Sequence, residues 1–379
     1  MKFRMLTLIA MALLLALLPV GNAFADPYDP NAPFALMPED LYAQAAVVMD
    51  ANSGRVLFDK NATEQVYPAS TTKIMTLLLA CEYGHLDETI TIPEEAADIS
   101  SDSSVVPVTP GETMRFIDLL YGLEMHSGND AANAVAVIVA GSIPNFVAMM
   151  NQRAQSLGME GTHYANAHGL HDAMHYTTAQ DLATLTAEAL KNDTFRQIVS
   201  TLSYEMPATE ERGPLWLSCS YDVMNPDNEL YYEGCIGVKS GFTSNAGQSF
   251  VGAAERDGLT LISVAMNCAS TNDDEAKRTK FVDTVRLLDF GFSQYDAYDF
   301  TTLFDLATEG TLVTMVQEAH QDDPYAGQLT LNASQISGNW QNKMVYGDEA
   351  ARTQAVQEFR QHLTVTIQPE VMAPVIGGQ

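Results

Sequence analysis

The chain has 379 residues, a formal net charge of −29 and an apolar fraction of 46%, which is ample material for a folded core. Its acidic balance argues against nucleic acid and anionic lipid as partners. Four cysteines occur without a C-x-x-C pair or a His/Cys cluster at zinc spacing, so we expect no metal site and no cofactor.

The first predicted element is a signal peptide over residues 1–25. Lys2 and Arg4 precede an uncharged apolar run over residues 6–20, and Ala23-Phe24-Ala25 has the small-x-small pattern of a signal-peptidase site. An uncleaved membrane anchor is the alternative, but the run is short for a bilayer span. We therefore expect secretion across the cytoplasmic membrane to the extracytoplasmic envelope, either the cell wall or the periplasm.

Export leaves two possibilities open for the cysteines. Cys219 and Cys235 are close enough in sequence to close a disulfide loop, which the exported compartment permits. Alternatively, some or all of Cys81, Cys219, Cys235 and Cys268 are small buried hydrophobic residues.

The elements that follow predict an α+β arrangement, a sheet with a helical insertion. Two apolar runs around Asn52-Ser53-Gly54 predict a β-hairpin over residues 45–58. A buried helix with Ser70 in its first turn is predicted next, followed by two helices over residues 116–140 that are interrupted at 127–129. Two further helices are predicted over 143–157 and 178–191. The last elements of this part are strands over 249–254 and 259–266 and a helix over 275–288.

The composition changes again beyond Tyr295. Residues 311–316, 328–331 and 363–368 alternate or nearly alternate in polarity, which is typical of strands. We expect a catalytic domain over residues 26–295 and a small β-rich domain over 296–379.

The pair Ser70 and Lys73 is the first candidate for chemistry. Three positions apart on a helix, the hydroxyl and the amine lie on one face within reach of each other. A serine needs a neighbouring base to become a nucleophile, and burial lets lysine serve by favouring its neutral form. The apolar flanks favour burial, whereas a surface S-x-x-K would be solvated. Of the eight lysines only Lys73 has a serine three positions before it.

Two shorter motifs accompany this pair. Lys239-Ser240-Gly241 combines a cation, a hydroxyl and a residue without a side chain, a set suited to holding an anionic substrate group, although alone it is also compatible with a turn. Ser127-Gly128-Asn129 has the S-x-N pattern, which also occurs at residues 270–272 and 337–339. Only the copy at residues 127–129 interrupts apolar helices and lies between the other two motifs. Its position therefore identifies it as the candidate functional copy.

The three motifs in this order resemble those of penicillin-binding proteins and serine β-lactamases. Four longer segments narrow the resemblance to the low-molecular-mass D-alanyl-D-alanine carboxypeptidases, over residues 40–295. They are Tyr67-Pro-Ala-Ser-Thr-Thr-Lys-Ile-Met-Thr, Met125-His-Ser-Gly-Asn-Asp-Ala-Ala, Gly237-Val-Lys-Ser-Gly-Phe-Thr-Ser-Asn-Ala-Gly, and residues 157–172 with their Asn-x-His-Gly-Leu sequence. The resemblance implies a β-lactamase/transpeptidase-like catalytic domain, an antiparallel sheet with helices on both sides and a helical subdomain.

The resemblance also implies a role for each motif residue. Ser70 attacks the carbonyl between the two terminal D-alanines of a peptidoglycan stem peptide, and β-lactams acylate the same serine. Lys73 is implied to be the base and Ser127 the proton relay, while Asn129 orients Lys73 and binds the substrate amide. Lys239, Ser240 and Gly241 are implied to bind the substrate carboxylate, with help from Thr243. The backbone amides of Ser70 and Phe242 are implied to form the oxyanion hole. His168 is implied to be structural rather than catalytic.

The sequence departs from the family in two places. Serine stands for threonine in the K-T-G motif, which keeps the hydroxyl, and residues 266–271 lack the arginine that helps some relatives hold the substrate carboxylate. The chain ends at Gln379 without a basic amphipathic stretch, so we expect either a shortened C-terminal domain or a fragment, and no support for membrane attachment there.

Three alternatives remain beside a D-alanyl-D-alanine carboxypeptidase. A class A β-lactamase is disfavoured because no E-x-x-L-N segment lies between Asn129 and Lys239. A D,D-endopeptidase acting on peptidoglycan cross-links uses the same nucleophile. A non-catalytic wall-binding protein is disfavoured because all three motifs are intact.

Overall fold

The computed structural model describes residues 36–100, 103–315, 328–340, 345–347 and 349–367. The predicted signal peptide lies outside the described residues, as do parts of the C-terminal region. The strands are β1 (Ala45–Asp50), β2 (Val56–Lys60), β3 (Thr89–Thr91), β4 (Thr113–Arg115), β5 (Ser203–Met206), β6 (Leu215–Ser218), β7 (Cys235–Gly241), β8 (Ser249–Arg256), β9 (Leu259–Met266), β10 (Asp296–Tyr298), β11 (Leu312–Met315), β12 (Gln328–Leu331), β13 (Ile336–Gly338), β14 (Val345–Gly347) and β15 (Val365–Ile367). The helices are α1 (Lys73–Tyr83), α2 (Phe116–Met125), α3 (Asn129–Ala140), α4 (Ile143–Ser156), α5 (Ala179–Ala189), α6 (Asp193–Val199), α7 (Asp274–Ser293), α8 (Phe300–Thr308) and α9 (Glu349–His362).

A five-stranded antiparallel sheet in the order β2-β1-β9-β8-β7 organises the fold. The predicted N-terminal hairpin and the predicted strand pair are both confirmed, and β1 joins them by pairing with β9, with Val47 opposite Val264. All eight residues of β9 are buried, because both faces of the sheet are covered. The last strand, β7, lies at the sheet edge and carries the Lys239-Ser240-Gly241 motif.

Alternate residues along the strands enter two different cores, as the twofold period of a strand requires. Val47, Val251 and Val264 pack with the helices of the insertion in one hydrophobic cluster. On the opposite face, Val48 and Phe250 pack with residues of α7 in a second cluster. The expectation of helices on both sides of the sheet is thus confirmed.

The helical insertion places the first two motifs. The predicted helices correspond to α2, α3, α4 and α5, and the predicted interruption at 127–129 is the junction of α2 and α3. Ser70 differs slightly from expectation, since it lies in a 3₁₀ turn, Ala69–Thr72, that runs directly into α1. Helix α6 and the β5–β6 hairpin were not predicted, and α7 extends beyond both ends of its predicted range.

Beyond residue 295, the described residues form both strands and helices. Strands occur within or overlap the three alternating segments, as β11, β12 and β15, but α8 and α9 supply much of the local core. The prediction missed α9 because its core residues, Ala355, Val356 and Phe359, are few and lie in a polar stretch, where a search for alternation overlooks their helical spacing. The boundary at residue 295 stays a prediction.

All four cysteines have free thiols, with Cys268 buried and the others partly buried. Within the described ranges, no single helix has the length and apolar composition to cross a membrane, while the bent pair α3 and α4 meets those two criteria together.

Candidate active site

The Ser70 hydroxyl lies at the start of α1, next to a fully buried lysine. Lys73 is the first residue of α1 and is 0% exposed, as its apolar flanks predict. Its Nζ atom lies 3.1 Å from Ser70 Oγ. Ala69, just before the serine, has a φ of 48°, a left-handed conformation that is uncommon for alanine and is held by the surrounding packing.

Two carbonyl oxygens hold the Lys73 amine from its other sides. Nζ donates hydrogen bonds of 2.7 Å to Asn129 Oδ1 and to the backbone oxygen of His168. Burial, reinforced by the positive charge of Lys239, lowers the pKa of Lys73 well below its ordinary value, against the opposing charges of Glu124 and Asp130. Because a carbonyl oxygen only accepts, both bonds persist in the neutral amine, whose lone pair then faces Ser70.

The segment containing His168 is pressed against the serine turn. Gly169 has a φ of +96°, and a Cβ atom there would lie 1.8 Å from the backbone oxygen of Ala69. Asn166 Oδ1 accepts from the backbone amide of Gly169 and holds this loop in place. The His168 ring accepts a hydrogen bond from the amide of Leu170, and burial lowers its pKa to about 3. The neutral ring is therefore favoured, and the structural role of His168 stays a prediction.

The second motif lies at the tight junction between α2 and α3. Ser127 has a φ of 55°, and its buried Oγ has no hydrogen-bond partner among the described residues. A Cβ atom on Gly128 would lie 2.3 Å from a Val106 side-chain carbon, so only glycine fits without a shift. Asn129 then begins α3 with its side chain on Lys73. The structure joins Asn129 to the nucleophile pair and leaves the Ser127 hydroxyl unengaged.

The third motif reaches the serine from the edge of the sheet. A Cβ atom on Gly241 would lie 3.1 Å from the backbone nitrogen of Ser70, so β7 passes in contact with the serine turn. Two residues earlier, Lys239 is 1% exposed. Its ammonium charge is the main electrostatic influence that lowers the pKa of Lys73. The S-x-x-K and K-S-G motifs, far apart in sequence, thus lie side by side.

The remaining predicted residues surround this junction. Ser240 lines an open cleft with Tyr221 at the sheet edge. Phe242 follows Gly241 directly, so its amide lies one residue from the contact with the Ser70 amide. Thr243 Oγ1 accepts a 3.0 Å hydrogen bond from the amide of Ala246 and closes a turn, which leaves its donor proton unused by that bond.

Two site residues were not predicted from the sequence. Lys239 Nζ donates to the hydroxyl of Tyr221 at 3.3 Å, and that hydroxyl donates to Glu124 Oε1 at 3.2 Å. Both Tyr221 and Glu124 are buried. A glutamate within the apolar sequence of α2 was the one available signal for this contact.

Comparison with known proteins assigns the chain to a family. The profile described as D-alanyl-D-alanine carboxypeptidase, peptidase family S11, matches residues 32–270. The chain belongs to this family. The D-alanyl-D-alanine carboxypeptidase DacF of Bacillus subtilis is 33% identical over 262 residues, which cover 68% of this chain and 64% of DacF. The chain thus spans less than two thirds of the length of this carboxypeptidase.

Solved structures of the family share the fold. The crystal structure of a D-alanyl-D-alanine carboxypeptidase from Mycobacterium tuberculosis matches with a TM-score of 0.59 and 32% identity, covering 66% of this chain and 91% of that one. Penicillin-binding protein D2 from Listeria monocytogenes, in its cefotaxime-bound form, matches with a TM-score of 0.57 and 27% identity, covering 68% and 99%. The catalytic part of this chain therefore has the β-lactamase/transpeptidase-like fold of the family.

Proposed function

We propose that the chain is a serine-type D-alanyl-D-alanine carboxypeptidase that removes the terminal D-alanine from peptidoglycan stem pentapeptides. The observation that carries this proposal is the position of Lys73 Nζ, 3.1 Å from Ser70 Oγ and held by two carbonyl oxygens. That geometry orients a neutral amine as a base toward a serine hydroxyl. Family membership supplies the substrate class.

Acylation begins when Lys73 takes the Ser70 hydroxyl proton and Oγ bonds to the carbonyl carbon of the penultimate D-alanine. The amides of Ser70 and Phe242, on the two segments that meet at Gly241, stabilise the resulting oxyanion. When the C–N bond breaks, the leaving amine of the last D-alanine takes this proton from Lys73 through Ser127. The buried, unengaged hydroxyl of Ser127 has both donor and acceptor capacity for this transfer.

Deacylation returns the enzyme to its starting state. Water adds to the acyl carbon and gives a proton to Lys73, the bond to Ser70 Oγ breaks, and Ser70 takes that proton from Lys73. The products are free D-alanine and a peptide shortened by one residue. No metal or cofactor takes part in these steps.

Anion recognition is assigned to the K-S-G motif. Lys239 and Ser240 bind the terminal carboxylate, and Gly241 lets the substrate backbone approach the strand. The segment after β9 supplies no arginine to share this task. We further propose that residues 1–25 direct export, that the protein acts in the cell envelope, and that β-lactams acylate Ser70, in keeping with the cefotaxime-bound form of the Listeria relative.

Mass spectrometry of the intact protein after penicillin treatment tests the proposal. We expect one covalent adduct that maps to Ser70, and neither adduct nor D-alanine release from Ser70→Ala. Incubation with a pentapeptide and with cross-linked dimers separates a carboxypeptidase from an endopeptidase by product mass. Rapid penicillin turnover would instead identify a β-lactamase, and unchanged labelling of Ser70→Ala would overturn the assignment of the nucleophile.

A further inference from the structure

The Lys239 ammonium is connected to a carboxylate that lies outside the three motifs. Glu124 projects from α2, three residues before Ser127, and is 3% exposed. The Tyr221 hydroxyl bridges the two charges, accepting from Lys239 Nζ at 3.3 Å and donating to Glu124 Oε1 at 3.2 Å. Each hydrogen bond thus runs from the cation toward the anion.

We propose that Glu124 and Tyr221 are positioning residues that fix the Lys239 ammonium and keep it charged, so that it can bind the carboxylate of the substrate. This inference deepens the proposed function and rests on it. A cation removed from water is costly unless it is paired and hydrogen-bonded, and the two residues supply both conditions.

The groups around Lys239 leave Glu124 as its counter-charge. They are Tyr221 and Cys219 from the segment before the 3₁₀ turn Asp222–Met224, Glu124 from α2, Lys73 from α1 and Lys280 from α7. Glu124 is the carboxylate in this set, drawn from the part of the chain that the structure describes. Burial lowers the pKa of Lys239, and the charge of Glu124 is the largest influence that opposes it.

Glu124 acts through other residues and not by contact with substrate. The cavity beside it has a volume of about 10 Å³, room for one water molecule at most. Its second oxygen, Oε2, is buried without a hydrogen-bond partner among the described residues. A buried carboxylate with one unsatisfied oxygen is destabilising by itself, and the charge that it places near Lys239 is the compensating interaction.

Glu124→Gln tests the charge alone, because the amide oxygen still accepts from Tyr221. With peptide thioesters that end in a carboxylate or in its methyl ester, we expect kcat/KM for the carboxylate form to fall about tenfold and that for the ester to change little, a loss of about 1.4 kcal/mol. The alkaline limb of the pH profile moves to lower pH, because Lys239 without its counter-charge loses its proton more easily. Tyr221→Phe reduces the same ratio by removing the bridge.

Matched variants separate this effect from general destabilisation. Glu112 is also fully buried; it accepts hydrogen bonds from Thr109 and Thr209 and pairs with Arg212 at 2.8 Å, all outside the site. Tyr232 is buried beside Phe292 and Arg256. Neither Glu112→Gln nor Tyr232→Phe is expected to change the ratio between the two thioesters, whatever its effect on the melting temperature. Equal losses for both thioesters in Glu124→Gln, or no change at all, would overturn the inference.

A readout without turnover distinguishes failure of the inference from failure of the proposed function. In protein labelled with ¹³C at lysine Cε, the Lys239 signal, assigned with Lys239→Met, is expected to titrate at lower pH in Glu124→Gln than in the unchanged chain. An unchanged titration means that Glu124 carries no charge there, and it overturns the inference. Failure of penicillin labelling in the unchanged chain would instead refute the proposed function.

Discussion

Two buried lysines lie side by side in the site, and their partners differ in kind. Lys73 is held by neutral oxygens, the side-chain carbonyl of Asn129 and the backbone carbonyl of His168. Lys239 is connected through Tyr221 to the carboxylate of Glu124. Neutral acceptors orient an amine without stabilising its charge strongly, whereas a carboxylate favours the ammonium.

The environments of the two lysines favour different protonation states of the same residue type. Burial lowers the pKa of both lysines, most strongly for Lys73, where the charge of Lys239 adds to the effect. The charged lysine therefore helps to make its neighbour neutral. We propose that one lysine acts as a base and the other as an anion-binding cation because their environments separate their titrations.

Replacing the base should have the largest effect. Lys73→Met keeps the length of the side chain but removes the proton acceptor, and we expect acylation by penicillin to slow by about 10²- to 10⁴-fold. Stopped-flow labelling measures the rate with penicillin, and kcat/KM is measured in parallel for the carboxylate and methyl ester thioesters. The loss should be equal for the carboxylate and the ester, and a loss confined to the carboxylate form would assign Lys73 to anion binding instead.

Replacing the anion-binding cation should have a smaller and more selective effect. We expect Lys239→Met to lower kcat/KM about 10- to 100-fold for the carboxylate thioester and less for the ester, because only the carboxylate loses a charged partner. Thermal unfolding is the control, since this variant leaves Glu124 buried without its cation. If both substrates lost activity to the same extent, the division of labour between the lysines would be wrong.

Disturbing the carbonyl that orients Lys73 should have the smallest effect on chemistry. Gly169→Ala places a Cβ atom against the backbone of Ala69 and requires a left-handed conformation of alanine. We expect the free energy of unfolding to fall by about 1–3 kcal/mol and acylation to slow several-fold, for both substrates alike. Gly111→Ala, also at positive φ but in open space, is the matched control. If Gly169→Ala and Gly111→Ala had equal effects, the loop that contains Gly169 would not be needed to position the His168 carbonyl.

Much of this site could be predicted because its contacts are made by side chains whose types and spacing are visible in the sequence. The spacing of Ser70 and Lys73 indicated their contact, and the apolar flanks indicated burial; the structure has both. The contact of His168 could not be found in this way, because Lys73 uses its backbone oxygen, which no residue pattern marks.

The bridge to Glu124 escaped prediction for a different reason. Glu124 and Tyr221 are 97 positions apart, and their contact depends on how α2 packs beside the sheet edge. Within the apolar sequence of α2, a single glutamate is compatible with a solvent-facing position. In the C-terminal region, α9 was missed because its apolar residues are sparse, which shows that patterning predicts strongly apolar elements better than polar ones.

Measuring the order in which the two lysines lose their protons tests the central claim most directly. NMR titration of ¹³C-labelled lysine Cε, with signals assigned through Lys73→Met and Lys239→Met, follows each amine in the unchanged protein, although the two titrate as a coupled pair. The account predicts that Lys73 is neutral while Lys239 is still charged, so that activity rises as pH increases through the Lys73 titration and falls when Lys239 is deprotonated. Deprotonation of Lys239 before Lys73 would contradict it.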